Sequence, residues 1–313
     1  MSHAMLLNRI AARAVVGASG ACRTLRVAAV QLSVTDVPED NIKRARRLID
    51  TAADDGATVV ALPECFVGSY GVEHFPRWQE PLGGEPLRGG AAMMARAARD
   101  RGIFVSGGVI EAGAKPGFTL MRPAPHLFNA VPVFGPDGRL VVNYRKVHLS
   151  RVLGITSEGD VLEPGDAPVA WETPGCGGEP GAFRFGMACC YDLRFPALLA
   201  RYGPGGARPA DVLLAPSAFL DVTGVDHWDL LLRRAALDGQ CYVVAPNIAR
   251  RAGVDATPLH GRSAIIDPWG AVVAQCAAEG DDLAVADVRR ERIQEVRAKL
   301  PLVACARDVK KNK

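Results

Sequence analysis

The stretch "FRFGMACCYDLRFPALLARYG", residues 183–203, passes from an apolar strand pattern into a helical one, with two adjacent cysteines where the pattern changes. Asp192 and Arg194 follow Cys190 within four residues. A strand that ends in polar residues and then feeds a helix is the unit of layered α/β proteins, whose sites gather at the C-terminal ends of strands. Taken alone, the pair has two explanations. Cysteine is a common small core residue, or one of these two is a nucleophile held at a strand end.

Outward from this stretch, short runs rich in Val, Ile, Leu and Ala alternate with helical patterns. "LRVAAVQLS" (25–33) and "ATVVALPE" (57–64) predict buried strands around a helix over 39–56 that stops at Gly56. A helix over 86–101 precedes a strand at 103–110. "LFNAVPVFGPDGRLVVNYRKV" (127–147) predicts two strands about a Gly-Pro-Asp-Gly turn. "FRFGMACCYD" predicts a strand, and "DVLLAP" and "CYVVAPNI" predict two more. "DHWDLLLRRAALDGQ" predicts a helix, "RSAIIDPWGAVVAQC" (262–276) a second hairpin, and 289–299 a last helix. No linker or repeat divides the chain. We therefore expect one domain over 24–308, an extension over 1–23 and a basic tail over 309–313.

Composition narrows the function class. Hydrophobic residues make up 49% and charged residues 23%, ordinary for a chain with a sizeable core. A net charge of +3 with dispersed Lys and Arg gives no nucleic-acid patch, and no apolar run is long enough to span a bilayer. The eight cysteines include no C-x-x-C pair and no zinc-finger spacing, which suits reduced thiols and predicts no metal. The first 35 residues contain no acid, while Arg9, Arg13, Arg23 and Arg26 are spaced among apolar residues. That composition fits a mitochondrial transit segment as well as a disordered extension, so the expected location is the cytoplasm or the mitochondrial matrix.

A thiol attacks only as thiolate, so it needs a base or a positive field beside it. Glu64 ends "TVVALPE", where an unpaired carboxylate would be costly, and Lys146 closes an otherwise apolar strand pattern. Cys190 ends "FGMACC". Three apolar strands thus deliver one reactive group each at the same kind of edge. His148 is an alternative base for the same thiol.

These stretches resemble the nitrilase, or carbon–nitrogen hydrolase, superfamily. "LPECFVGSYG" (62–71) resembles its glutamate motif, "YRKVHL" (144–149) its lysine motif and "CCYDLRFP" (189–196) its cysteine motif. The likeness extends over roughly residues 25 to 308. It implies an α-β-β-α four-layer sandwich, a homodimer or higher homo-oligomer built through helices, and no cofactor. It also implies that Cys190 is the nucleophile, Glu64 the general base and Lys146, with the Tyr191 backbone N–H, the oxyanion donor. Cys189 stands where relatives carry an aliphatic residue. Strand alternation would turn it away from Cys190 into the core, and Cys65 would be a bystander. Glu158, in "GITSEGDVLEPGD" (154–166), matches a second glutamate that orients the lysine or the substrate, with Glu163 nearby.

Within the superfamily, "PECFVGSYGVEHFPRWQE" and "GITSEGDVLEPG" resemble the omega-amidase branch. This implies a small 2-oxo acid amide as substrate, 2-oxoglutaramate or 2-oxosuccinamate. Its carboxylate would need a cation, and Arg194 is the candidate because guanidinium binds carboxylate bidentately. Tyr70 could donate a hydrogen bond to it, and Phe219 and Thr223 would line the wall. The alternative for Arg194 is an ion pair with Asp192 or another acid. "APSAF" (215–219) and "LDGQCYVVA" (237–245) are closer to a branch acting on deaminated glutathione. A nitrile hydrolase and an N-carbamoyl hydrolase rank lower, and a silent scaffold is disfavoured by the intact Glu64, Lys146 and Cys190.

Overall fold

The computed structural model describes residues 23–84, 86–113, 126–174, 182–251 and 258–306. The expected transit or disordered segment, the basic tail, Cys22 and Cys176 therefore lie outside the described residues, apart from Arg23. Two sheets face each other. The first has eight strands. Its path runs Asp282–Arg289, Thr24–Gln31, Val59–Ala61, Phe104–Ser106, His126–Phe134, Val109–Gly113 and Gln79–Glu80, with Leu140–Arg145 also paired to His126–Phe134. The second has six, in the order Ala170–Glu172, Arg184–Met187, Val212–Leu214, Tyr242–Ala245, Ala264–Ile266 and Val272–Gln275.

The apolar runs are continuous because the central strands are buried on both faces. Along Thr24–Gln31, Val27 and Ala29 join the core between the sheets. Ala28 and Val30 instead join a second core under the helices Pro38–Asp54 and Gly89–Arg101. Val59 and Ala61 divide from Val60 in the same way. On the far side, Trp228, Leu231, Leu232, Ala235 and Ala236 of the helix Asp221–Gly239 pack with the second sheet. The result is the expected α-β-β-α sandwich.

Three local differences from the sequence expectations shape the site. The strand expected over 103–110 is two strands, broken at Gly107 and Gly108. A Cβ on Gly108 would stand 2.5 Å from the Glu64 Cα, so the chain can pass the glutamate turn only as glycine. The helix expected from 226 begins at Asp221 and ends at Gly239. The strand expected to run through "FRFGMACCYD" stops at Met187, and a short 3₁₀ turn, Cys190–Arg194, starts at the second cysteine with φ +47°.

Candidate active site

Glu64, Lys146 and Cys190 all lie just beyond the C-terminal ends of strands. Glu64 follows Val59–Ala61, in a turn held where the Gly108 N–H donates to the Pro63 carbonyl at 2.9 Å and the Phe66 N–H to that of Gly108 at 3.3 Å. Lys146 follows Leu140–Arg145, its N–H donating to the Asn129 carbonyl at 2.8 Å. Cys190 follows Arg184–Met187, its N–H donating to Pro216 at 2.9 Å.

The centre is a fully buried charge cluster. Lys146 Nζ stands 2.8 Å from Glu64 Oε1 and 2.9 Å from Glu158 Oε2. Asn129 Nδ2 donates to Glu64 Oε1 at 2.7 Å and to Glu158 Oε1 at 3.1 Å, bridging the two acids. The Ala218 N–H donates to Glu64 Oε2 at 2.7 Å, and the Ser150 N–H to Glu158 Oε2 at 2.6 Å. Burial pushes the Glu64 carboxyl up, but the Lys146 charge and hydrogen bond, with those from Asn129 and Ala218, outweigh it and hold it below its ordinary value. Burial pushes Lys146 down, and Glu158 and Glu64 reverse this and hold it well above. Burial and Glu64 push the Cys190 thiol well up, against Lys146 and the Ala218 N–H. The resting site is thus a protonated thiol beside an ionised carboxylate and a fixed ammonium.

A narrow cavity of about 20 Å³ opens on the thiol. Its lining includes Cys190, Tyr191 and the four residues expected to bind the substrate, Arg194, Tyr70, Phe219 and Thr223, whereas the fully buried Glu64, Lys146 and Glu158 are not part of it. Cys190 is 6% exposed. A larger cavity of about 350 Å³ shares Tyr70 and Leu220 with it. Tyr70 donates its hydroxyl proton to Glu158 Oε1 at 3.1 Å, so that proton is not free for a substrate carboxylate as expected. Glu158 occupies the orienting position beside Lys146, and Glu163 pairs with His126 instead.

Arg194 makes no ion pair with Asp192. Its Nη2 donates to Thr223 Oγ1 at 3.2 Å and its Nη1 meets His227 Nδ1 at 3.1 Å. The guanidinium also lies 5.1 Å from the Phe219 ring centre and 5.7 Å from that of Tyr191. Asp192 is fully buried and occupied elsewhere. It accepts from Tyr144 Oη at 2.6 Å, the His148 N–H at 2.9 Å and the Cys189 N–H at 3.0 Å, and meets His148 Nδ1 at 2.8 Å. His148 also stacks on Phe195, ring centres 3.6 Å apart. Its ring therefore serves to pin the cysteine turn to the lysine strand rather than to face the thiol as a base.

Cys189 lies in the core and outside the cavity lining, as expected. What the sequence reading did not foresee is that its Sγ donates to Glu64 Oε1 at 3.3 Å. Strand alternation does not apply because the strand ends two residues earlier and the backbone turns at Cys190. Burial and Glu64 hold this thiol well above its ordinary value too. Asn129, Ser150 and His227 were missed by sequence, and Asp192 was noted there only as a partner for Arg194. An Asn within the apolar run "LFNAVPVF" is a usable signal, since a buried amide must find partners; the others carry none.

The family model described as carbon–nitrogen hydrolase matches residues 26–298. The chain is 36% identical over 281 residues to the omega-amidase NIT2 of Xenopus tropicalis, spanning 88% of this chain and 93% of that one. It is 34% identical to the human omega-amidase NIT2, over 89% of this chain and 94% of that one. Its fold is similar to that of Saccharomyces cerevisiae Nit3, a member of branch 10 of the nitrilase superfamily. The TM-score is 0.77 at 30% identity, over 91% of this chain and 98% of that one. With a family match across nearly the whole described chain and the cluster of Glu64, Lys146 and Glu158 beside a cavity-lining cysteine, the chain belongs to the carbon–nitrogen hydrolase family, as an enzyme of the amidase type.

Proposed function

We propose that the chain hydrolyses the terminal amide of a small 2-oxo acid, 2-oxoglutaramate or 2-oxosuccinamate, to the 2-oxo diacid and ammonia through a thioester on Cys190. The observation that carries the substrate class is Arg194: it lines the cavity of Cys190 and, among the described residues, pairs with no carboxylate. Glu64, Glu158 and Lys146 sum to one negative charge, which would repel an anionic substrate unless a second cation held it. The relatives named omega-amidase support the same class.

The chemistry follows from the protonation states. Glu64, already ionised, takes the Cys190 proton as the sulfur attacks the amide carbon. Negative charge develops on the carbonyl oxygen, and the Lys146 ammonium with the Tyr191 N–H stabilises it. Glu64 passes its proton to the departing nitrogen and ammonia leaves. Glu64 then draws a proton from water, whose oxygen adds to the thioester carbon; the C–S bond breaks, the acid is released, and Glu64 returns the proton to the Cys190 sulfur. Glu158, Asn129 and Ser150 keep Lys146 and Glu64 in register throughout.

The adjoining cavity of about 350 Å³, lined by His74 and Arg251 among others, favours a second reading, a longer substrate such as deaminated glutathione. Ammonia release from 2-oxoglutaramate, deaminated glutathione and a simple nitrile, measured side by side, separates the two. The highest kcat/KM is expected on 2-oxoglutaramate; a preference for either of the others overturns the substrate assignment. We also propose a homo-oligomer, in which a second copy covers the outer face of the helix Asp221–Gly239. Val222, Val225 and Leu230 are 61%, 68% and 66% exposed there. Sedimentation at micromolar concentration should give a dimer or larger; a monomer overturns it.

A further inference from the structure

The Cys189 thiol is fully buried yet donates to the carboxylate oxygen that also takes Lys146 and Asn129. It also stands 3.8 Å from Asn129 Oδ1. A base that serves the cavity-facing thiol therefore has a second thiol directly on it, one residue away in the chain. Both are free cysteines.

We propose that Cys189 and Cys190 are a site of reversible oxidation by hydroperoxides, Cys190 taking the oxidant and Cys189 resolving it. This rests on Cys190 being the nucleophile of the amidase reaction. In the first step Glu64 accepts the Cys190 proton and the sulfur attacks one peroxide oxygen. The O–O bond breaks, and the leaving oxygen departs as alcohol or water with the proton from Glu64. Cys190 is now a sulfenic acid, its sulfur oxidised by two electrons and the peroxide reduced by two. In the second step the Cys189 proton moves along its hydrogen bond to Glu64. The Cys189 sulfur attacks the sulfenic sulfur, the S–S bond forms, the S–O bond breaks, and hydroxide leaves as water with the proton from Glu64. Two thiols and one hydroperoxide give one disulfide, one alcohol or water, and water.

The burial that keeps both thiols protonated makes Glu64 essential to each step, as it is for attack on the amide. Consecutive Cα atoms stand about 3.8 Å apart, shorter than the usual span of about 4.4–6.8 Å across a disulfide. The bond is therefore strained and easily reduced, as labile rather than structural disulfides are. While it lasts the enzyme has no nucleophile; once it is reduced, the nucleophile returns and has been spared further oxidation.

The test uses the full chain, with C189S and C189V beside wild type. Serine keeps a donor for Glu64, valine keeps the bulk, and neither can form the bond. Each protein is treated with hydrogen peroxide, then with a thiol reductant, and its turnover is compared with its own untreated rate. Mass spectrometry follows the tryptic peptide over 185–194, which contains both cysteines and no other. Wild type should lose turnover, carry a peptide lighter by two hydrogens, and recover most of its rate. Both variants should carry peptides heavier by two or three oxygens on Cys190 and should not recover. Wild type that recovers no better than C189S, or whose peptide gains oxygens without losing hydrogens, overturns the proposal. Amide turnover surviving in C190A would instead defeat the nucleophile assignment, a result the mass measurement does not depend on.

Discussion

The site holds its two cations in opposite ways. Lys146 is fully buried between two carboxylates at 2.8 and 2.9 Å, with Asn129 bridging the acids. Arg194 is half-buried and meets a hydroxyl, an imidazole and two ring faces. Lys146 has its charge answered inside the protein, so it is fixed in place before any substrate arrives. Arg194 has its direction fixed by a hydroxyl, an imidazole nitrogen and ring faces, with no carboxylate among its described partners, so its charge is left for an anion to answer. A cation that serves a developing charge gains from being immobile. One that selects a ligand gains from being oriented and unpaired.

Removing the nucleophile shows what either cation is worth without chemistry. Cys190→Ala should lower kcat by about 10⁶-fold, the order seen when the nucleophile of a coupled triad is deleted. Bound 2-oxoglutaramate should still protect the variant against heat. Substantial turnover would mean that another thiol reacts.

Lys146→Met should lower kcat by at least about 10²–10³-fold and, by leaving two buried acids unpaired, cost about 3–5 kcal/mol of stability. Its pH dependence should invert. In wild type the Glu64 carboxyl is held below its ordinary value, so its contribution to stability is present above the unfolded range and is lost as pH falls through the folded value. Lys146, held above its own range, contributes below the unfolded value and loses this as pH rises through the folded one. Without the lysine, burial dominates and raises Glu64, so the variant should gain stability as pH falls. Denaturant midpoints from pH 4 to pH 9 would read this, and an unchanged slope would mean the cluster is solvated.

Arg194→Met should spare the cluster and lose selectivity. Loss of a charge-assisted bidentate contact costs about 2–4 kcal/mol, or roughly 30- to 700-fold in KM for 2-oxoglutaramate. A neutral short-chain amide should be little affected. Equal loss on both would make Arg194 structural.

His227 gives a finer cut. An arginine only donates, so in the 3.1 Å contact with Arg194 Nη1 the His227 Nδ1 is the accepting atom. Asparagine can place an oxygen near the Nδ1 position. His227→Leu should raise KM for the acid by about tenfold at similar kcat, and His227→Asn should restore most of it. Failure of asparagine to rescue would leave Thr223 as the residue that orients the guanidinium. The smallest effect is expected at Cys65→Ala, within a few-fold of wild type, because that thiol lies beside the cluster without a hydrogen bond to Glu64 among those described.

The sequence made Glu64, Lys146 and Cys190 legible because reactive side chains at the ends of apolar runs are conspicuous. The buried strands were legible for the same reason, as uninterrupted apolar runs, whereas their stacking into four layers was implied only by the family resemblance. What the sequence hid were relations across the fold. Asn129 looks like one polar residue in a strand until two acids are placed on it. Arg194 and His227 lie 33 residues apart, and the second partner of the guanidinium, Thr223, falls on a helix that starts five residues earlier than its apolar pattern suggests. The contact of the core residue Cys189 with Glu64 was hidden because a single φ of +47° at Cys190 replaces the alternation of a strand with a turn.

Gly108 has no functional group, yet the position of the base depends on what it lacks. One added methyl would have to share space with the backbone of Glu64, 2.5 Å from its Cα. In a library of random substitutions, inactive clones at this position would carry every reactive side chain in their sequence and look like faults of chemistry. They would be faults of clearance, and a survey that ranks positions by distance from the sulfur or by charge would pass over them.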